Sequence, residues 1–386
     1  MSAREAQLAR PRSPALRVHV VDPSAFTVAY DHALCAALAR TGAAVELITS
    51  RFAYGEAPQP DGYRLTECFY RRVLGPAGSR RRRAGKLAWH LPEMLAYRRR
   101  ASSADVVHFQ WLDVQWLDRF LLPERPLVLT AHDLLPREPR PGQAAAQRRL
   151  YEAVDAVVVH SQYGREQLVG HLGLDPAKVH VIRHGAFEHL ARQPQDAALP
   201  PELAGARGPV ALFFGLLRPY KGVEVLLEAW RRVPAGELWI VGRPRMALAP
   251  LRAAVPPRVR LVPRFVSDRE LAACFRRAEV VVLPYAPTER LDFSGVLATA
   301  LAFAKPIVVS DVGGLGEVAR AGGARLVPAG DAEALATALS ELLAQPEARA
   351  RLAAGAAALA AGPYSWSQAA ERTLELYRDL LARGRR

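Results

Sequence analysis

A turn reading GLLRPYKG, residues 215–222, stands between an apolar run and a helical pattern. Arg218 and Lys221 can form charge-assisted hydrogen bonds to an anion, and Gly215 and Gly222 permit a tight turn with a close backbone approach. A helix N-terminus adds free N–H groups and a partial positive charge. The spacing therefore predicts a phosphate-binding turn. The alternative is a surface turn whose cations are solvated.

A second candidate for anion binding is LDFSGV, residues 291–296. Ser294 and Gly295 mark a predicted helix start, whose backbone amides stand next to the carboxylate of Asp292. An anion on these amides, with the cationic turn opposite, would form one pyrophosphate site. No glycine-rich loop ends in Gly-Lys-Ser/Thr, and no G-x-G-x-x-G follows the first strand. These absences disfavour a P-loop enzyme and a nicotinamide dehydrogenase.

Polar residues also follow predicted strands in the first half of the chain, where doubly wound sheets carry their functional groups. His132 and Asp133 are adjacent in TAHD, and we expect this pair to be functional. His108 precedes Gln110 and Trp111 in HFQW, but VVHF also fits a core histidine. We treat a functional and a structural role as equally compatible with the turn residue His184. The first strand leads into DPSAFTVAY, which supplies Ser24 and Tyr30.

Short apolar runs alternate with helical patterns throughout, which predicts an α/β fold with parallel sheets covered by helices. We assign residues 1–190 to a first Rossmann-like domain, 191–208 to a linker and 209–363 to a second Rossmann-like domain. The last segment, 364–386, begins at a capping serine and has helical periodicity. Two such doubly wound domains would leave a ligand cleft between the carboxyl ends of their sheets.

Length and composition fit this two-domain interpretation. The chain has 386 residues, of which 50% are hydrophobic and 23% are charged, so a large core is possible and global disorder is excluded. The three cysteines have no metal-ligand spacing and predict reduced thiols in a cytoplasmic protein. The N-terminus has no apolar leader and no 18-residue apolar run occurs, so we expect a soluble or peripheral protein. The net charge of +14 suits an anionic partner, or reflects an Arg- and Ala-rich composition.

Much of the positive charge lies in residues 69–103, where cations and aromatic residues alternate. The mixture fits an anionic membrane surface, could bind RNA, or could be a solvated arginine-rich helix pair. We hypothesise docking at the inner membrane face and expect no nucleic-acid partner. The residues concerned are Arg71, Arg72, Arg80, Arg81, Arg82, Arg83, Lys86, Arg98, Arg99 and Arg100, with Phe69, Tyr70, Trp89 and Tyr97.

Several stretches together resemble family 4 glycosyltransferases, which have the GT-B fold. FGLLRPYKGVEVLLEAW, ELWIVGRP, RFVSDRELAACFRRAEVVVLPY and SGVLATALAFAKPIVVSDVGGLGEV are similar to the family's C-terminal domain. VLTAHD, VVVHSQYGREQLV and KVHVIRHGAF are similar to its N-terminal domain, and the closing helix to one that packs back on that domain. The resemblance implies two Rossmann-like domains facing across a cleft. It also implies a metal-independent, retaining hexosyltransferase that uses a nucleotide-diphosphate sugar and no cofactor.

The resemblance also assigns residue roles. Arg218 and Lys221 would hold the diphosphate and neutralise the leaving group, and His132, beside Asp133, would lie near the reacting sugar. The remaining donor-binding residues would be Gly215, Gly242, Phe265, Val266, Asp292, Ser294, Gly295, Val296 and Thr299, with Phe265 and Val266 receiving the base. The acceptor side would comprise Ser24, Tyr30, His108, Gln110 and Trp111.

The sequence departs from the family pattern at three places. The usual Arg five residues before Lys221 is Leu216, and Arg218 supplies the cation instead. The family's two glutamates are replaced by Leu291 and Thr299, with Asp292 the nearest carboxylate. The N-terminal loop lacks its Gly-Gly turn.

We expect a transferase that extends a cell-envelope or exopolysaccharide glycan, at a glycan or lipid-linked acceptor. The missing acids leave a non-catalytic GT-B protein that binds nucleotide or glycan as the alternative. An epimerase or phosphorylase would need an acid/base set or a cofactor lysine that we do not identify.

Overall fold

The computed structural model describes residues 15–76, 78–136 and 140–384. Their contacts divide into two compact units. One comprises the described residues up to Thr130, Arg149–Ala156 and those from Ala370 onward; the other comprises Ala131–Arg148 and Val157–Ala369. The predicted domain boundaries stay predictions. The expectation of no apolar leader concerns mainly residues 1–14, and the end of the predicted last helix concerns residues 385–386; both lie outside the described residues.

The first sheet has seven strands, and β1 runs parallel to both of its neighbours, β2 and β4. The strands are β1 Arg17–Asp22, β2 Ala44–Ser50, β3 Arg64–Phe69, β4 Val106–Phe109, β5 Leu127–Thr130, β6 Ala156–Val159 and β7 Val179–Val181, and their order across the sheet is β3-β2-β1-β4-β5-β6-β7. Because the order reverses between β1 and β4, the loops after these two strands leave the sheet at its topological switch point.

Six of the seven strands coincide with predicted apolar runs, and β3 was not predicted. Its sequence RLTECF is mostly half-buried, and it lies at the edge of the sheet beyond β2. An edge strand is covered less completely than the strands inside a parallel sheet, so it does not need a continuous apolar run. This is why the pattern missed it.

Helices cover the first sheet. They are α1 Val28–Arg40, α2 Arg80–Arg100, α3 Gln115–Asp118, α4 Gln143–Ala153 and α5 Gln162–Glu166, with a π-helical turn at Gln167–His171 and 3₁₀ turns at Ala101–Ser103 and Pro176–Lys178. The short α6 Glu188–Ala191 follows and packs against helices of the second sheet. In α1, the buried side chains include Leu34, Cys35 and Leu38, which recur at the helical period.

The second sheet repeats the doubly wound plan with six parallel strands. They are β8 Val210–Phe214, β9 Glu237–Val241, β10 Val259–Val262, β11 Val280–Leu283, β12 Ile307–Ser310 and β13 Arg325–Val327, in the order β10-β9-β8-β11-β12-β13. Here the order reverses between β8 and β11. The loops after β8 and β11 therefore leave the sheet side by side.

The helices of this part are α7 Val223–Trp230, α8 Leu248–Ala254, α9 Asp268–Arg277, α10 Gly295–Ala302, α11 Leu315–Arg320, α12 Ala332–Ala344 and α13 Pro346–Ala361, with a 3₁₀ turn at Pro219–Lys221. The last helix, α14 Trp366–Arg383, begins here, but its residues from Ala370 onward belong to the other unit. Leu226, Leu227 and Trp230 bury one side of α7 in the core. Each such side chain contributes roughly 1.5–3 kcal/mol on burial. The capping serine predicted before the last helix is confirmed, since Ser365 Oγ accepts the amide hydrogen of Gln368 at 3.3 Å.

The predicted linker, residues 191–208, is held in place although it lacks periodicity. Its 3₁₀ turn Pro201–Leu203 buries Leu203 completely, and Glu202 pairs with Arg264 at 2.9 Å. The guanidinium of Arg276 donates to the carbonyl oxygens of three residues at the beginning of this segment. Side chains from elements of the second sheet therefore fix the path of residues 191–208, and no local sequence pattern reveals that path.

Candidate active site

The two loops at the switch point of the second sheet are joined through one phenol. Lys221, in the turn after β8, donates from Nζ to the hydroxyl of Tyr285, which ends the β11 run. That hydroxyl lies 2.9 Å from Ser294 Oγ, immediately before α10. Lys221 is only 7% exposed and its Nζ stands 3.9 Å from the centre of the Tyr285 ring. The structure thus brings together the cationic turn and the helix start that the sequence singled out.

Glycines let the backbone segments of this site touch. A Cβ placed on Gly222, which has a φ of +69°, would lie 1.8 Å from the carbonyl oxygen of Pro284. A Cβ on Gly242 would lie 1.9 Å from the carbonyl oxygen of Gly215, and one on Gly215 would lie 3.1 Å from Val296 Cγ2. Gly215, Gly242 and Val296 therefore belong to one packed floor beneath the turn, in which backbone occupies the space of side chains.

Arg218 carries a buried nitrogen that an anion could satisfy. Its side chain is half-buried, and its Nε is buried without a hydrogen-bond partner among the described residues. Leaving a buried guanidinium nitrogen unsatisfied is costly, and a phosphate oxygen would satisfy it. Gly295, at the first position of α10, is exposed. The amides at the start of α10 and the Arg218 cation are both of the kind that stabilises phosphate.

Asp292 and Thr299, expected to replace the family's acids, have their polar atoms engaged elsewhere. The Asp292 carboxylate accepts hydrogen bonds from Ser161 Oγ and from the backbone N–H of His160. Burial raises the pKa of Asp292 to about 7, although these hydrogen bonds oppose the change. Thr299 Oγ1 donates to the Gly295 carbonyl at 2.8 Å, one turn earlier in α10. The structure therefore gives both residues structural contacts and shows no donor-facing carboxylate at either position.

The predicted pair His132 and Asp133 lies in the loop after β5, against the segment that precedes Asp292. Asp133 forms an antiparallel bridge with Leu291, and Leu134 N donates to Arg290 O at 3.2 Å. His132 Nδ1 is 3.3 Å from His160 Nε2. The pair therefore lies beside the segment that leads into Ser294, and its role at the sugar stays a prediction.

His160, Tyr285 and Ser161 support the site, and the sequence analysis did not single them out. His160 ends the β6 run, 2% exposed, and its ring centre lies 5.2 Å from the rings of His132 and of His184. HSQYG follows a strand exactly as TAHD does, so the position at a strand end was the available signal. Tyr285 was hidden in an apolar run whose composition predicts only a buried strand.

His184 is a buried member of this cluster, which favours the structural role for it. Its ring lies 5.5 Å from Phe293 and 5.8 Å from Trp366, and its Nδ1 is 2.8 Å from the Gly185 carbonyl oxygen. Burial, together with the neighbouring His160, lowers the pKa of His184 to about 3. The imidazole is therefore neutral at ordinary pH.

Phe265 and Val266 follow β10 but differ in accessibility. Phe265 is 58% exposed, whereas Val266 is 5% exposed. Arg264, just before them, forms ion pairs with Glu202 at 2.9 Å and with Glu270 at 2.7 Å. These ion pairs fix the chain just before the exposed Phe265 ring.

Two of the five predicted acceptor-side residues meet in one cluster of the first unit. Ser24 Oγ donates to Asp113, which also accepts from Trp111 Nε1 at 2.8 Å, and the Trp111 ring stacks on Phe26 at 4.3 Å. The other three are buried: Tyr30 is 3%, His108 1% and Gln110 0% exposed. His108 bonds Tyr377 Oη at 2.7 Å and Thr130 Oγ1 at 2.8 Å, which favours the core-histidine alternative.

Helix α2, in the basic segment, presents an exposed apolar strip. Leu87, Leu91 and Leu95 recur every four residues and are 58%, 43% and 41% exposed. The adjoining face of α2 buries His90, Met94 and Tyr97. Exposed arginines stand at both ends of the strip, at 80, 81 and 83 and at 99 and 100.

The described residues contain no group of three or more histidine, cysteine, aspartate or glutamate side chains arranged to hold a metal ion. Within the same residues, no helix has the length and hydrophobicity needed to span a bilayer.

The paired sheets define a GT-B glycosyltransferase fold. Sucrose-phosphate synthase from Thermosynechococcus elongatus superposes with a TM-score of 0.73 at 21% identity, covering 95% of this chain and all of that one. HepE of Anabaena, in complex with UDP and glucose, superposes with a TM-score of 0.72 at 18% identity, covering 94% and 100%. The predicted fold class is confirmed.

Sequence comparison then gives the family. Residues 28–186 match the model "Glycosyltransferase Family 4" and residues 208–345 match "Glycosyl transferases group 1". The D-inositol 3-phosphate glycosyltransferase of Xylanimonas cellulosilytica is 32% identical over 383 residues, covering 89% of each chain. The GDP-mannose:glycolipid 4-beta-D-mannosyltransferase of Xanthomonas campestris pv. campestris is 30% identical over 226 residues, covering 57% of this chain and 59% of that one. The chain belongs to the family 4 glycosyltransferases, and it is a glycosyltransferase enzyme.

Proposed function

We propose that the enzyme transfers a hexosyl group from a nucleotide-diphosphate sugar to a glycan or lipid-linked acceptor, with retention of anomeric configuration. It needs neither a metal ion nor a cofactor. The reaction serves cell-envelope or exopolysaccharide synthesis and takes place in the cytoplasm, at the inner membrane face.

The observation that carries the donor assignment is the Lys221–Tyr285–Ser294 chain beside the unsatisfied Nε of Arg218. Negative charge develops on the diphosphate as the glycosidic bond to the donor breaks. Lys221 and Arg218 lower the energy of that charge, and the amides at the start of α10 add hydrogen bonds. Two fixed cations and a helix N-terminus supply the stabilisation for which other enzymes use a metal ion.

The remaining donor contacts come from loops of both sheets. Phe265, after β10, receives the base, and His132, in the loop after β5 that bridges to Leu291, contacts the reacting sugar. HepE in complex with UDP and glucose supports a nucleotide donor, because it shares this fold.

The acceptor assignment is supported by the exposed face of α2 and by one relative. A glycolipid acceptor appears in the name of the Xanthomonas mannosyltransferase. The leucine strip of α2 would enter the headgroup region while the flanking arginines contact anionic lipid. Such docking would hold the enzyme near a lipid-linked acceptor. An RNA partner is less well matched, because three exposed leucines provide no stacking surface for bases.

Titration calorimetry and turnover test the donor assignment. A panel of nucleoside diphosphates and their sugars should contain at least one ligand, and R218A and K221A should each weaken it by about 10- to 100-fold. R232A is the matched control, because Arg232 is an exposed cation after α7 and its loss should leave affinity unchanged. If R232A bound the nucleotide as weakly as R218A does, the proposed phosphate contacts would be contradicted.

Product analysis separates the alternatives. Transfer to a glycan or polyprenyl-linked acceptor should persist in chelator, and the product should keep the anomeric configuration of the donor. Inverted product or loss of turnover in chelator would overturn the proposed mechanism. Tight nucleotide binding without transfer to any acceptor would favour the non-catalytic alternative.

A further inference from the structure

His160 lies between His132 and a backbone carbonyl. Its Nδ1 is 3.0 Å from the carbonyl oxygen of Ile182, and its Nε2 is 3.3 Å from Nδ1 of His132. The ring is 2% exposed, and the backbone N–H of the same residue donates to the carboxylate of Asp292. His160 is therefore held at its ring and at its main chain.

These contacts determine where the protons are. A carbonyl oxygen only accepts hydrogen bonds, so the Nδ1 of His160 must carry the hydrogen. Burial lowers the pKa of His160 to about 4, so the ring is neutral at ordinary pH and its Nε2 carries a lone pair. A hydrogen bond between Nε2 of His160 and Nδ1 of His132 then requires the hydrogen to lie on His132.

We propose that His160 is a positioning residue: it keeps a hydrogen on Nδ1 of His132 and thereby fixes the orientation of that ring beside Asp133. Nothing in the transfer chemistry is assigned to His160 itself. The inference rests on the proposed role of His132. It adds which nitrogen of His132 faces His160 with a hydrogen, and what fixes the ring.

The surroundings of His160 favour a permanent arrangement. His184, the next ring of the cluster, donates from Nδ1 to the carbonyl of Gly185 and is neutral as well. The other groups that face the His160 segment are Asp292 and Ser161, and both contact each other directly. His184 therefore places no cation against the ring of His160.

Nitrogen NMR of the full-length protein, labelled with ¹⁵N-histidine, tests the tautomer without requiring turnover. The chain has 10 histidines, and loss of a signal in H132Q assigns His132. In the wild type, the protonated nitrogen of His132 should be Nδ1. In H160F the preference should weaken, whereas H160Q should retain it, because the Gln carboxamide can donate to Ile182 and accept from His132.

Kinetics on the same variants supply the second measurement. H160F should lower kcat about 10- to 100-fold while leaving the affinity for the nucleoside diphosphate unchanged. H160Q should recover most of the lost rate. H184F is the matched control: it replaces the adjacent buried imidazole by the same ring, but it leaves the contact between His160 and His132 in place.

Three results would overturn the proposal: a wild-type His132 protonated at Nε2, an H160F spectrum in which the His132 tautomer is unchanged, or an H184F rate as low as that of H160F. A different result would separate this inference from the proposed function. If the tautomer responds to H160F but H132Q retains full turnover, the proton assignment stands and the catalytic role proposed for His132 fails.

Discussion

Lys221 is a nearly buried cation whose resting partner is a phenol. Its ammonium contacts the hydroxyl and the ring of Tyr285, and Tyr285 in turn contacts Ser294. These neutral partners stabilise the charge less than an anion would, because charge-assisted pairs are roughly twice as strong as neutral ones. A diphosphate would add charge-assisted hydrogen bonds to these contacts of Lys221.

Asp292 allows a prediction about pH. Burial raises its pKa from 3.8 to about 7, so the native state binds an extra proton between about pH 4 and pH 7. The stabilisation from this carboxyl is complete below about pH 4 and is lost as the pH rises through 7. Asn cannot titrate, yet its oxygen can accept from His160 N–H and its NH₂ can donate to Ser161. The unfolding free energy of the wild type minus that of D292N should therefore fall with pH, by up to about 1.4 kcal/mol per pH unit.

Urea unfolding at half-unit steps from pH 4 to 7.5 measures this difference. D196N is the control, because Asp196 is exposed and its substitution should give a pH profile parallel to that of the wild type. A D292N profile that also runs parallel to the wild type would show that Asp292 is ionised throughout the range.

At the scale of single elements, the start of α7 depends on the fit between Gly222 and the end of β11. Gly222 and Gly205 both have a φ of +69°, but a Cβ on Gly205 would meet nothing within 4 Å. G205A should cost only the backbone strain, about 1–2 kcal/mol. G222A adds a collision with Pro284 and should cost more than about 3 kcal/mol, with loss of nucleotide affinity. Denaturant unfolding and calorimetry of the two variants provide the comparison, and equal losses would contradict the close approach.

Helix α2 gives the second prediction at this scale. Replacing Leu87, Leu91 and Leu95 by serine removes the apolar strip but leaves every arginine of α2 and its buried side unchanged. Because burial of each leucine contributes roughly 1.5–3 kcal/mol, binding to anionic vesicles should fall by about tenfold or more. Co-sedimentation measures it. The single variant F120S controls for the loss of an exposed apolar side chain elsewhere in the same unit, and unchanged binding by the triple variant would exclude an inserted strip.

At the scale of the whole molecule, the net charge of +14 produces a non-specific attraction to anionic lipid. The effect of where the charges lie must therefore be tested separately from the effect of the total charge. Replacing Arg80, Arg81, Arg82 and Arg83 by serine removes four charges next to the leucine strip. The control removes four exposed arginines elsewhere, namely Arg231, Arg232, Arg320 and Arg372.

The two charge variants have the same net charge, so only the position of the lost charges differs. The first should weaken binding to anionic vesicles about tenfold more than the second, and salt should reduce the difference. Equal binding by both variants would mean that the protein is attracted by its total charge and has no docking face. Equal binding of the wild type to neutral and anionic vesicles would show that electrostatic attraction does not contribute to membrane binding.

Most of the fold was predictable because buried parallel strands need apolar runs. Such runs can be recognised in the sequence without knowing which strands pair with each other. The edge strand β3 and the path of residues 191–208 were not, since distant side chains fix them. Within the site, the turn with Arg218 and Lys221 was predictable from charge and glycine spacing. The direction of the Asp292 carboxylate was not, because its partners Ser161 and His160 lie more than 130 positions earlier in the chain.

The contact between Gly242 and the carbonyl of Gly215 limits how this enzyme can be re-engineered. Main chain fills the space between Gly215 and Gly242, so a library that randomises either glycine should return clones that fail to fold rather than clones with a new sugar preference. At the proposed donor site, altered donor choice must then arise at an exposed residue such as Phe265, which can be exchanged without moving any strand.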